Sequence, residues 1–406
     1  MEYPKLRPLE AFPVEVSGKE AVCLRDPSNL TDKLVFVPYS VFQIIRFFDG
    51  RHSILDVQAE HAKRYGGLIL REHVEKIVKE LDSHLLLESN GFHSFLKGLK
   101  EDFRNASLRK AILAGRGYEG TPERLRDQLE GYFLSKDGPG QATRTEYVRK
   151  ARGAVLPHID FGRGGPCFAW GYKEIEESTK ARCFILLGTA HGEMDGLFAL
   201  TKKDFETPFG VLPTDRGLVD VLERHGGETL YKGEFAHRAE HSIEFQAVFL
   251  QYVYNGRRDI TIVPILCSSF HEMLHKGISP SSVSEVSDFV GALKEAIREY
   301  SGEVFVLASA DLSHVGPRFG DPFTVTKEVL SEVAREDMEM IRFIEKVDAE
   351  GFFSSVQRVG DRRRICGLAP IYMLLQAVNA SQGKLLKYEQ WPDPMGTVSF
   401  ASICLY

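Results

Sequence analysis

Three short apolar runs in the second half of the chain each end in a residue able to do acid–base or metal chemistry. VLP at 155–157 is followed by His158, and CFILLGTA at 183–190 by His191. VFVLASA at 304–310 is followed by Asp311, with Ser313 and His314 just beyond. Runs this short and this rich in Val, Ile, Leu and Phe predict buried strands. In open α/β sheets, ligands bind beyond the carboxyl ends of the strands. One strand-end histidine is usually a structural loop residue, but three at equivalent positions predict a cluster at one sheet edge. Two more stretches join the set. AEHSIEF carries His241 and Glu244 at i and i+3, neighbours on one helix face; alone they would read as a surface ion pair or a cap. RRRICG places Cys366 after three arginines and before an apolar helix. There the cations and the helix dipole would both favour thiolate, and the plain alternative is a small buried cysteine at a turn.

Two chemistries could use these residues. A Cys/His nucleophilic pair needs Cys366, one histidine and an orienting carboxylate, and leaves the other imidazoles without a task. A mononuclear metal site uses more of them: two neutral imidazoles and an anionic ligand, with open positions for substrate or dioxygen. A histidine outside the ligand set can then act as acid or base. A zinc-dependent hydrolase is a further alternative.

The elements that must position these side chains are legible from position 149 onward. GAVLPH, ARCFILLG, DITIVPILC and EVFVLAS read as strands. CFAWGYKEIEES, GLVDVLERHG, EHSIEFQAVFLQYVY and VSDFVGALKEAIREY read as helices between them. Such alternation predicts an α/β domain over 149–406 with a largely parallel central sheet. Residues 1–95 differ in texture. Ser53 and Asp56 resemble a capping box, Gly66 and Gly67 stop that helix, and Val74, Ile77, Val78 and Leu81 fall at helical spacing. Asn90-Gly91 reads as a hairpin or wing turn, so a small α+β winged-helix module is expected. Residues 96–148 read as a helical connector, with Thr121 and Pro122 opening a helix and a Gly/Pro-rich linker at 135–143.

The whole chain of 406 residues has a net charge of −6 and is 43% hydrophobic. Nucleic-acid binding usually shows as a basic face, and here Glu60, Glu72, Glu75 and Glu80 interleave with the lysines. No nucleic-acid partner is therefore expected, and the first module reads better as a docking unit for a peptide or protein. No apolar run approaches the ~18 residues of a membrane span, and the opening MEYPKLRPLEAFP lacks the apolar stretch of a secretory leader. Six cysteines without a C-x-x-C pair fit a reducing compartment, so the expected location is cytoplasmic.

The run VLPHIDF, LGTAH, AEHSIEFQ, SADLSHVG and RRICG closely resembles the Memo family, known in bacteria as AmmeMemoRadiSam system protein B. The resemblance spans about 150 to 406. It implies a fold similar to the class III extradiol dioxygenases, which hold Fe(II) with two histidines and a carboxylate. On that resemblance His158 and His191 match the histidine ligands, Cys366 the third ligand, and His314 the acid/base histidine with Asp311 beside it. His241 and Glu244 would complete the pocket. The cofactor implied is iron, with copper or zinc as alternatives because thiolate is soft. The implied partners are a radical-SAM protein and an AMMECR-type protein, with a peptide or small molecule as substrate. A non-catalytic binding protein using the same pocket is the competing function. Residues 35–90 resemble PqqD-like peptide-recognition modules.

Overall fold

A computed structural model describes residues 1–16, 18–31, 33–143 and 150–406. The chain divides into two compact units, 1–105 and 106–406. In the first, an antiparallel sheet of Glu10–Val16, Lys19–Arg25 and Val35–Pro38 precedes the helices. Ser53 and Asp56 form the expected reciprocal cap on helix Ile54–Tyr65. Helix Arg71–Ser83 buries Val74, Ile77, Val78 and Leu81 as the spacing requires. The expected wing at Asn90-Gly91 is instead the start of helix Asn90–Asn105. The Ser89 hydroxyl accepts from the Phe92 amide there, so a serine cap outweighs the turn preference of Asn-Gly.

The segment expected to be a connector is shared between the units. Helix Asn90–Asn105 belongs to the first. Strand Leu108–Arg109 pairs with Asp204–Thr207 of the second, and helix Pro122–Leu134 buries Leu125, Leu129 and Phe133. The Gly/Pro-rich stretch is fastened to helix Phe161–Ser178, because Trp170 Nε1 donates to the Asp137 carbonyl at 2.9 Å and Lys173 Nζ to that of Pro139 at 2.7 Å. The expected boundary at 148/149 lies outside the described residues.

All four anticipated strands form, and they lie side by side and parallel. Their order is Gly153–Leu156, Val304–Ser309, Cys183–Thr189 and Thr261–Cys267. The sheet as a whole is mixed. Thr397–Leu405 pairs antiparallel with Gly153–Leu156 on one side, and Phe198–Leu200 antiparallel with Thr261–Cys267 on the other. Gly383–Trp391 and His314–Val315 extend the first side. Side chains alternate across each strand, so Ile185 and Leu187 enter one apolar core while Phe184 and Leu186 enter the other. Helices Arg216–Gly226, Ser284–Glu299 and Leu368–Ala377 cover the first face, and Phe161–Ser178 and Ser242–Tyr254 the second. A strand buried on both faces carries no polar alternation, which is why these runs are continuously apolar. Among the described residues no helix is long and apolar enough to cross a membrane.

Candidate functional site

Register brings the strand ends together. Leu156 pairs with Ser309, and Ser309 with Gly188, so the chain turns carrying His158, Asp311 and His191 leave the sheet at one edge. His241 arrives from elsewhere, as the residue immediately before helix Ser242–Tyr254. That helix can reach the edge because position 188 is glycine. A Cβ there would sit 2.6 Å from Ile243 Cγ1 and 2.7 Å from Ser242 Oγ. Ser242 Oγ donates to the Thr189 carbonyl at 2.8 Å, and Gln246 Nε2 to the Pro157 carbonyl at 2.7 Å. One helical turn thus ties two strand ends.

The His158, His191 and His241 rings each offer a nitrogen within 4.8 Å of the others. Ring centroids lie 4.9 Å (158–191), 5.5 Å (158–241) and 4.6 Å (191–241) apart. His158 Nδ1 lies 2.9 Å from the Ser309 carbonyl. A carbonyl only accepts, so Nδ1 carries the proton and Nε2 keeps its lone pair. Burial, then the neighbouring His191 and His241, hold the His158 pKa well below 6.5, and burial also depresses that of His241. Both rings are therefore neutral near pH 7, the form that ligates metals.

Cys366 and Asp311 stand beside His158. The Cys366 sulfur lies 3.3 Å from His158 Nε2 and 3.6 Å from the Asp311 carbonyl. Its approach depends on Gly367, where a Cβ would fall 2.5 Å from that of Ala310. The expected bias toward thiolate is reversed in this structure. Burial, then the Asp311 charge, push the Cys366 thiol well above its usual range, and the three arginines are spent on other carboxylates. Arg362 pairs with Glu332, Arg363 with Glu336 and Asp337, and Arg364 with Asp321. Asp311 accepts from the His158 amide at 2.9 Å, and burial raises its pKa to about 7. His314 lies outside the triad, its Nδ1 3.1 Å from the Leu312 carbonyl and its ring edge-on to Phe319 at 5.2 Å. Burial lowers its pKa to about 4.

The two glutamates of AEHSIEF take different places. Glu244 is fully buried and faces the 106–118 segment. It pairs with Arg109 and accepts from the Leu113 amide at 2.9 Å and the Tyr118 hydroxyl at 2.5 Å. Glu240 is the carboxylate that touches the imidazoles. It accepts from the His191 amide at 2.8 Å, the His241 amide at 2.8 Å and the Ser242 amide at 2.9 Å, with His191 Nδ1 at 3.1 Å and His241 Nδ1 at 3.2 Å. Burial opposes its charge, yet His241 and His191 hold it well below the usual carboxylate range. Burial likewise opposes protonation of His191, but Glu240 outweighs it and raises the His191 pKa. Sequence reasoning passed over Glu240, although a carboxylate adjacent to a candidate histidine was a readable signal. Arg109 and Ser309 carried no such signal.

Fold and site together define an α/β protein with a histidine-lined candidate metal centre at the carboxyl edge of a mixed sheet. The Memo-like protein family model matches residues 109–403, and the chain belongs to the Memo family. The match begins at the strand carrying Arg109, well before the point where the strand–helix alternation is legible. A MEMO1 family protein of Aquifex aeolicus is 27% identical over 99% of this chain and all of its own length. One from Pyrobaculum arsenaticum is 30% identical over 74% of this chain and 99% of its own.

Proposed function

We propose that this protein holds one transition-metal ion through His158, His191 and His241, with the Cys366 thiol on its fourth side, and acts as a dioxygenase-like redox component. The observation that carries this reading is the triad: three imidazole nitrogens within 4.8 Å of one another, with Nδ1 of His158 and His191 already engaged by the protein. The donor set fits such an ion, because neutral imidazoles suit iron, copper and zinc alike and the sulfur favours the softer of these. Iron or copper would supply a redox-active centre for dioxygen chemistry, and zinc a Lewis acid. His314, neutral at pH 7, is the group able to accept a proton. Asp311 holds the His158 backbone in place.

Metal analysis of anaerobically purified protein tests this. Near-stoichiometric metal, lost in the His158→Ala/His191→Ala variant, is expected; no bound metal in either protein refutes the reading. A second reading, a pocket that binds a peptide without catalysis, draws on Phe319 beside His314 and on exposed Trp391 and Met395 in the adjacent hairpin. It expects Cys366→Ala to leave binding intact. In either reading the PqqD-like first unit would dock a peptide or partner, and the radical-SAM and AMMECR-type proteins are the candidates. Deleting residues 1–105 and repeating a pull-down on the radical-SAM protein tests that role.

A further inference from the structure

Glu240 accepts from three backbone amides, those of His191, His241 and Ser242, is hydrogen-bonded to His191 Nδ1, and has His241 Nδ1 3.2 Å from the same carboxylate. Its Oε1 is the nearest carboxylate oxygen to both rings, at 3.1 Å from His191 Nδ1 and 3.2 Å from His241 Nδ1. An imidazole nitrogen facing a carboxylate carries its proton, which leaves the lone pair on the opposite nitrogen. Arg109 fixes the backbone behind this carboxylate, donating to the Glu240 carbonyl at 2.6 Å and the His237 carbonyl at 3.0 Å.

We propose that Glu240 is the positioning residue of the site, setting both His191 and His241 as Nδ1–H tautomers so that their Nε2 lone pairs face the position shared with His158. A single carboxylate thereby orients two of the three rings, while the Ser309 carbonyl orients the third. Replacing Glu240 by Gln keeps the shape but removes an acceptor, and turns an NH2 group toward amides that themselves donate. The rings lose their common anchor and sample the Nε2–H tautomer, in which the lone pair points at the protein. The consequence for metal rests on the reading above, whereas the tautomer assignment stands independently of it.

The test uses the full-length, metal-free protein and long-range 15N correlation spectra of its imidazoles at alkaline pH. Wild type is expected to show Nδ1–H for both His191 and His241. Glu240→Gln is expected to show a mixed or reversed state at one or both rings. Zn2+ titrated against a chromophoric chelator should then bind Glu240→Gln about 10–100-fold more weakly than wild type. Glu244→Gln, placed in the Arg109 network, should lower the melting temperature but leave both tautomers unchanged. A wild-type spectrum with Nε2–H at either ring overturns the proposal, and needs no variant to fold. So does a folded Glu240→Gln protein with unchanged tautomers. If wild-type protein binds no Zn2+, the metal reading fails while the tautomer result still decides the role of Glu240.

Discussion

Glu240 and Glu244 lie on consecutive turns around the start of one helix, both buried and both ionically engaged, and they do different work. Glu244 closes the 106–118 segment onto the helix through Arg109 and Tyr118. Glu240 faces the imidazoles. Removing one partner of a buried pair leaves a charge uncompensated, at a cost of about 3–5 kcal/mol, so Arg109→Ala should destabilise far more than any exposed arginine. The neutral buried histidines set the acid limit. His237 is buried against the Ala199 carbonyl at 3.0 Å, and burial lowers its pKa from 6.5 to about 4. In the unfolded chain the ring protonates below pH 6.5 while in the fold it does not. The stability contribution of His237 is therefore constant above pH 6.5 and lost as pH falls toward 4. Chemical denaturation across that window should show wild type losing about 3 kcal/mol relative to His237→Gln. A pH-independent difference between the two would contradict the neutral, buried assignment.

At the scale of elements, the site is a matter of close approach. Helix Ser242–Tyr254 delivers Glu240 and His241 only because Gly188 leaves no Cβ between helix and strand. Gly188→Ala forces the helix start outward, and overpacking of this kind costs roughly 1–3 kcal/mol. We expect a lower melting temperature together with weaker metal binding, since the displaced residues are those of the site. Gly291→Ala is the control, on helix Ser284–Glu299 with nothing within 4 Å of the added Cβ. It should be neutral or stabilise by about 0.5–1 kcal/mol. If Gly188→Ala melts like wild type, the helix has slack that this packing does not show.

At the scale of the molecule, the unit that must fold with the sheet begins at residue 106. The Pyrobaculum relative is matched over nearly its whole length by 74% of this chain. A protein of residues 106–406 should unfold cooperatively and retain the site. One starting at 149 loses Arg109, Leu125, Leu129 and Phe133, all buried. Each buried leucine is worth about 2–5 kcal/mol on truncation to alanine, so the summed loss reaches the ~5–15 kcal/mol that holds a domain folded. The shorter protein should be unfolded or insoluble, as circular dichroism and solubility will report. Equal stability of the two would place 106–134 outside the folding unit.

The sequence by itself determined the four parallel strands, the helices between them and the three strand-end residues His158, His191 and Asp311. These follow from local composition, since a strand buried on both faces has to be apolar throughout and the polar residues that interrupt such a run mark the turn at its carboxyl end. Tertiary structure decided the rest. The antiparallel hairpin Gly383–Trp391/Thr397–Leu405 that completes a mixed sheet is less uniformly apolar, because its outer strand is only half-buried. Arg109 finds Glu244 across more than a hundred residues, a pairing that no local pattern encodes. His241 joins the other two imidazoles and Cys366 stays protonated because packing sets which groups share a desolvated space. Burial and spent arginines, rather than the sequence neighbours of Cys366, govern its charge.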